Sequence, residues 1–142
     1  MRILLISFAL CAMNMLQAQS VFGTWKTIDD ETGKVKSLVE IYEQDGKVYG
    51  KVVKLFRGPD EEQDPICSEC TDDRKDKKIL GMEILRELEK DGDEYEDGTI
   101  CDPKNGKIYD CKMWVDEDDP SKLRVRGYLY FIYRTQTWIR QN

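Results

Sequence analysis

Histidine is absent from the 142-residue sequence, which removes the side chain that most often moves protons near neutral pH and most often binds metals. Ser-His-Asp and Cys-His hydrolases are excluded with it. Positive charge is also in deficit: 22 Lys and Arg stand against 28 Asp and Glu, a net charge of -6 and a pI near 4.8. That is the wrong sign for gripping phosphate backbones, so nucleic acid is not an expected partner. Long hydrophobic runs are missing too, because the apolar stretch over residues 3–16 is broken by Ser7 and Asn14 and falls short of the ~20 residues that span a bilayer. What remains, 40% hydrophobic and 35% charged, is the composition of one small soluble domain.

The apolar stretch has the marks of an export signal. Met1-Arg2 supplies a positive start, and Leu16-Gln17-Ala18 ends in the small residue that precedes a signal-peptidase cut. Residues 1–18 are expected to be a cleaved signal peptide and residues 19–142 the mature domain, secreted or periplasmic and not membrane-spanning. Leu10, before Cys11, is too bulky for a lipoprotein signal, so no lipid is expected. Cleavage removes Cys11 and leaves Cys67, Cys70, Cys101 and Cys111. An even set of thiols in an exported chain favours disulfides.

Turn chemistry locates the strands. Asp29-Asp30-Glu31-Thr32-Gly33-Lys34 and Asp102-Pro103-Lys104-Asn105-Gly106-Lys107 follow one template. In the second, Asp102 and Pro103 suit the opening of a type I turn, and Gly106 supplies the positive φ that returns the chain to an antiparallel strand. Asp45-Gly46 is a two-residue hairpin signal. Counting outward from it sets Tyr42 opposite Tyr49, Glu40 opposite Lys51 and Val39 opposite Val52: an aromatic, an opposite-charge and a β-branched pair.

Strands are predicted over residues 22–28, 35–43, 47–56, 94–101, 107–115, 123–131 and 133–140. Leu123, Val125, Gly127, Leu129 and Phe131 alternate with Arg124, Arg126, Tyr128 and Tyr130, the period of a sheet with one buried face. Residues 79–88 suit a strand or a short helix, and Gly81, at a helix cost of ~1 kcal/mol, favours the strand. Residues 57–78 form a long polar loop with two prolines and two cysteines. The expected fold is all-β: a single closed antiparallel up-and-down barrel of about eight strands. A two-sheet sandwich normally needs longer crossovers, and long charged turns argue against an outer-membrane barrel.

Phe22-Gly23-Thr24-Trp25 on the first strand, with Arg134 and Arg140 on the last, is similar to the lipocalin arrangement. There, Gly-x-Trp packs at the closed end of the barrel under an arginine. Five further stretches extend the match: Gly23-Thr24-Trp25-Lys26-Thr27-Ile28-Asp29-Asp30, Gly46-Lys47-Val48-Tyr49-Gly50-Lys51, Cys67-Ser68-Glu69-Cys70, Asp102-Pro103-Lys104-Asn105-Gly106-Lys107 and Arg124-Val125-Arg126-Gly127-Tyr128. Together they resemble the bacterial family catalogued as domain of unknown function 2147, over essentially the whole mature chain. The resemblance implies an exported, lipocalin-like barrel, closed by Gly23, Trp25, Arg134 and Arg140, and brings no established activity. Cys101 departs from the aliphatic residue usual there, so no family-wide bond through it is implied.

The first hairpin contains a conflict. Pairing Asp29 with Lys34 sets Trp25 opposite Leu38, on the face of Glu40 and Lys51 and away from Val39, Ile41 and Val52. A one-residue bulge in the first strand would return the indole to the aliphatic side. That bulge is predicted, since an exposed indole forfeits about 2 kcal/mol of burial. Arg134 or Arg140 on the last strand would then stack on the ring.

Cys67-Ser68-Glu69-Cys70 has three readings: a local disulfide, half of a zinc site completed by Cys101 and Cys111, or a redox motif. The exported compartment favours a Cys67–Cys70 disulfide, with Cys111 a buried thiol or an alternative partner. With Asp102 opposite Lys107, Cys101 falls opposite Ile108 and Cys111 opposite Gly98. The two thiols then face opposite sides and cannot bridge within the hairpin.

An eight-stranded barrel either fills with side chains or holds one small ligand. Inward positions Val39, Ile41, Val52, Tyr109, Met113, Leu129 and Phe131 would line an apolar or amphipathic cavity, which makes a binding protein for a small ligand of that character the leading expectation. The competing readings are a packed barrel serving as an envelope structural or interaction protein, with Tyr128 and Tyr130 toward a partner, and a carboxylate- or thiol-dependent enzyme. For the enzyme no catalytic pair stands out. No metal or cofactor is expected, because the acidic clusters at 91–97 and 116–119 lack calcium-loop spacing and read as turns.

Overall fold

Eight antiparallel strands follow one another in the computed structural model, which describes residues 20–142; the expected signal peptide lies outside the described residues. They are β1 (Gly23–Ile28), β2 (Val35–Gln44), β3 (Lys47–Leu55), β4 (Glu83–Asp91), β5 (Glu94–Cys101), β6 (Ile108–Val115), β7 (Lys122–Leu129) and β8 (Ile132–Arg140). Each pairs with the next, and β8 returns to β1 with Arg140 opposite Trp25 and Ile139 opposite Lys26. The sheet is therefore a closed barrel with no free edge. No helix occurs among the described residues, and the ambiguous stretch near residue 84 is strand β4.

The turns work as their residues dictate. Asp29 N–H donates to Lys34 O and Gly33 N–H to Asp29 O, and the second copy repeats both bonds with Asp102, Lys107 and Gly106. Asp45 and Gly46 both take positive φ, 52° and 79°, as the tight hairpin requires. The register beyond it sets Tyr42 opposite Tyr49, Glu40 opposite Lys51 and Val39 opposite Val52, as counted from the sequence.

A bulge does bring Trp25 inside, opposite Val39, but the extra residue lies in β2 and not in β1. Ile28 faces Val35 and Thr27 faces Ser37, so Lys36 is the unpaired residue. Lys36 is exposed, so the residue left over at the bulge reaches water.

Two strands differ from expectation by more than a residue: the one expected over residues 79–88 runs Glu83–Asp91, with residues 79–82 in the bend and turn before it and Gly81 at a φ of +89°, and the one expected over residues 123–131 ends early. β7 stops at Leu129, Tyr130 and Phe131 make a two-residue turn, and β8 begins at Ile132. The turn escaped notice because it has no Gly, Asn or Pro; Tyr130 itself takes the positive φ, 56°.

Burial is graded along the barrel axis. Trp25, Trp138, Val39, Val52, Leu85, Leu88, Met113, Leu123 and Val125 are fully buried and form one core with Ile41 and Val48. The long connection before β4 leaves the barrel and folds back over the outer face of β4 and β5. There Arg86 makes two bonds to Asp73, at 2.8 and 2.9 Å, and Arg74 binds Asp72 and donates to Glu83 O at 2.8 Å.

Candidate functional site at the barrel mouth

Alternation of strand direction puts the β1–β2, β3–β4, β5–β6 and β7–β8 connections at one end, the mouth. The other end is floored. Trp25 is fully buried there, its Nε1–H donates to Val21 O at 2.8 Å, and the Arg140 guanidinium carbon lies 4.1 Å from the ring centroid. Arg140 Nη2 donates to Ser20 O at 2.7 Å, which ties the chain before β1 across the floor. Gly23, at a φ of +119°, passes beside the same guanidinium. Partial burial moves the Arg140 pKa down from its ordinary value, and the aromatic face compensates for the lost water.

Arg134 does not belong to this floor. Six residues before Arg140 along an extended strand, it sits roughly 20 Å away by the rise of β-structure, at the mouth, paired with Asp30.

Of the residues expected to line a cavity, Val39, Ile41, Val52 and Met113 are brought together, but as solvent-free core against Trp25 and Trp138. Tyr109 does face inward: a Cβ added at Gly127 would meet Tyr109 Cβ at 3.5 Å and Ile100 Cγ2 at 3.6 Å. Leu129 and Phe131 do not line the interior. Leu129 lies half exposed at the rim, and Phe131 is 91% exposed in the turn, because the strand ends before the predicted alternation reaches it.

The inward side chains toward the mouth keep partial contact with solvent. Leu55 stands opposite Ser37, Ile100 opposite Tyr109, and Gln136 opposite Val125, and each of Leu55, Ile100, Tyr109 and Gln136 is only partly buried. Gln136 Oε1 accepts from Trp138 Nε1–H at 3.0 Å, which leaves its amide N–H groups as donors. Thr27 and Ser37 join their hydroxyls in the same inward layer. This layer combines apolar side chains with a few polar groups.

At the same end stands the β7–β8 hairpin tip. Leu129, Tyr130, Phe131, Ile132 and Tyr133 are five consecutive exposed apolar or aromatic residues, with Tyr130 92% and Phe131 91% exposed. Below the tip, on the outer face, Tyr128 and Tyr133 pack at 5.9 Å and the Arg126 guanidinium covers the Tyr133 ring at 4.3 Å. The other exposed large apolar side chains among the described residues, Val53, Phe56, Ile66, Leu80 and Ile108, form no run of this length.

Two clefts of about 310 and 510 Å³ lie on the outer wall, the first between the long connection and β4, the second beside Asp97, Asp110 and Tyr128. Neither includes the core valines or Met113.

The sulfurs lie on the wall near the mouth. Cys67 and Cys70 are bonded, Cys101 and Cys111 are buried free thiols, and Cys111 faces inward opposite Gly98 while Cys101 faces outward opposite Ile108. Burial alone pushes the Cys111 thiol up to about 12. Asp72 is held at about 2, chiefly by hydrogen bonds from Arg74. No cluster of metal-ligating side chains occurs among the described residues.

The family described as "Uncharacterized protein conserved in bacteria (DUF2147)" matches residues 23–140, from the first residue of β1 to the last of β8. The chain belongs to the DUF2147 family. No curated protein matches it. Among solved structures, this DUF2147 barrel is similar to protein HP1028 from Helicobacter pylori, described as belonging to the lipocalin family. The two share 20% identity with a TM-score of 0.71, over 87% of this chain and 84% of that one. The likeness is one of fold: a lipocalin-like barrel.

Two features of this DUF2147 barrel were missed in the sequence. Residues 57–78 read only as a long polar loop, so the pairing of Asp72, Asp73 and Arg74 with Arg86 of β4 and with the Glu83 carbonyl, which docks that loop on the wall, had no local signal. Alternation places Gly127 on the buried face, but nothing in the sequence shows that its missing side chain lies beside Ile100 and Tyr109.

Proposed function

We propose that this protein is an exported binding protein that takes the apolar part of a small amphipathic molecule at its mouth. The supporting observation is the five-residue apolar hairpin tip, Leu129 to Tyr133, beside partly open inward side chains in a barrel whose other end is filled. The tip supplies a first apolar contact. Leu55, Ile100, Tyr109 and Gly127 supply the walls, and Gln136 supplies a polar partner for a headgroup. The lipocalin-like fold, in which side chains or one small ligand occupy the interior, is in keeping with this reading.

The test is a titration with N-phenyl-1-naphthylamine, which fluoresces in apolar surroundings, followed by displacement with dodecanoate. Saturable binding and displacement are expected. Phe131→Ser combined with Ile132→Ser removes two exposed apolar side chains and should weaken binding about ten-fold or more, with stability within ~0.5 kcal/mol of the parent. Absence of saturable binding, or equal affinity in the double variant, would reject the mouth as the site.

A further inference from the structure

The Cys101 thiol lies 3.9 Å from Cys70 Sγ, against a disulfide that already exists between Cys67 and Cys70. We propose that Cys67, Cys70 and Cys101 form one three-sulfur exchange site, in which Cys101 displaces Cys67 from Cys70 and the bond moves from within the loop onto the barrel wall.

All three sulfurs belong to buried residues, so contact is set by the fold and not by chance encounter in water. Cys101 reaches Cys70 because it occupies the outer face of β5, opposite Ile108, where the long connection covers it. Gly106 fixes the approach: it takes a φ of +72° and passes against the backbone of Glu69 and Cys70, where any Cβ would collide. Cys111 takes no part, since it points into the barrel from the opposite face.

The leaving sulfur also has a place to go. Cys67 Sγ lies 3.4 Å from Pro103 O. While bonded to Cys70 it carries no proton and makes no hydrogen bond there. Released as a thiol, it donates S–H to that carbonyl. The alternative pairing is thus provided for at both ends, one sulfur in reach and one acceptor waiting.

The step balances without an outside oxidant or reductant. Cys101 loses its proton to solvent, its thiolate lone pair forms the bond to Cys70 Sγ, the Cys67–Cys70 pair of electrons leaves on Cys67, and Cys67 takes a proton back. The charges around Cys101 are Asp72 and Arg74 from the loop, Asp102 from the β5–β6 turn and Arg86 from β4. Burial and the two carboxylates raise the thiol while the two guanidinium groups lower it, which makes the exchange a slow one in the closed molecule. Before exchange the bond closes a ring within the loop, and ion pairs and packing hold that loop to the barrel. Afterward Cys70 is covalently part of the wall, and the free thiol sits at residue 67.

The test is disulfide mapping of the intact protein, held at pH 8.5 with a trace of reduced glutathione, quenched in acid, alkylated in denaturant and digested. The expected result is two patterns, Cys67–Cys70 with Cys101 alkylated and Cys70–Cys101 with Cys67 alkylated. A second arm uses Cys67→Ser and Cys70→Ser with oxidised glutathione. Cys67→Ser should form Cys70–Cys101 about ten-fold faster than Cys70→Ser forms Cys67–Cys101, because only the first pair is in contact. Two results would overturn the proposal: Cys101 alkylated in every sample while Cys67→Ser yields only glutathione adducts, or bonds that include Cys111, which would mark scrambling through unfolding.

Discussion

Gly33 and Gly106 hold the same position in two turns of one design, and their replacement by alanine separates the cost of the turn from the cost of what rests on it. Both glycines have a left-handed φ, +71° and +72°, so each Gly→Ala change forces an L residue into a disfavoured region at about 1–2 kcal/mol. There the equivalence ends. A Cβ at residue 33 meets nothing within 4 Å, whereas a Cβ at residue 106 collides with the Glu69 carbonyl and comes to 2.7 Å from Cys70 N. Those are backbone atoms of a disulfide-closed ring, which cannot swing aside as a side chain would. Overpacking of this kind adds about 1–3 kcal/mol, which brings the total for Gly106→Ala to roughly 2–5 kcal/mol. Urea unfolding followed by tryptophan fluorescence reads the difference. Iodoacetamide labelling of Cys101 in the folded protein reads its location, since a lifted loop uncovers that thiol. The expectation is a larger loss for Gly106→Ala, accompanied by faster Cys101 labelling, and a small loss with unchanged labelling for Gly33→Ala. Equal losses with Cys101 protected in both would refute the seating of the loop on the β5–β6 turn.

Arg140→Met should destabilise the barrel by about 1–3 kcal/mol through loss of the Trp25 stack and the carbonyl bonds to the N-terminal segment, while Arg134→Met, at an exposed ion pair, should stay within ~0.5 kcal/mol. Matching losses in chemical denaturation would reassign the floor. Asp72 predicts an acid dependence of definite sign. Its carboxyl is held at about 2 in the fold against an ordinary 3.8, so its contribution is complete above about pH 4 and disappears as pH falls through 2. The stability gap between the parent and Asp72→Asn should therefore close between pH 5 and pH 2; a gap that stays constant would show that Asp72 does not act through its charge.

The architecture was legible because turn residues and strand alternation agree with each other. Asp45-Gly46 fixed three cross-strand pairs by counting, and the Asp102 to Lys107 turn fixed the opposite facing of Cys101 and Cys111. The need for a bulge followed from the energy of a tryptophan in water. Its position in β2 did not, because either strand could supply the extra residue and only packing chooses. The site was less legible. Alternation through Leu129 and Phe131 mimics a buried strand, yet Tyr130 accepts a strained φ and ends it, so residues read as lining are rim residues instead. Arg134 and Arg140 looked interchangeable beside Trp25 until pairing across the barrel seam set only Arg140 opposite the indole. The contact of Cys70 with Cys101 depends on where a long loop lands, which no local pattern records.

The most direct measurement of the account is amide chemical-shift mapping of the labelled protein titrated with dodecanoate. Binding at the mouth predicts saturable shifts at Ile100, Tyr109, Gly127, Gln136 and the tip residues Leu129, Tyr130, Phe131 and Ile132, with Val39, Met113 and Leu123 in the packed end unmoved. Shifts confined to the outer-wall clefts beside Asp97 and Asp110 or beside Arg74 and Arg86, or none at saturating ligand, would contradict it.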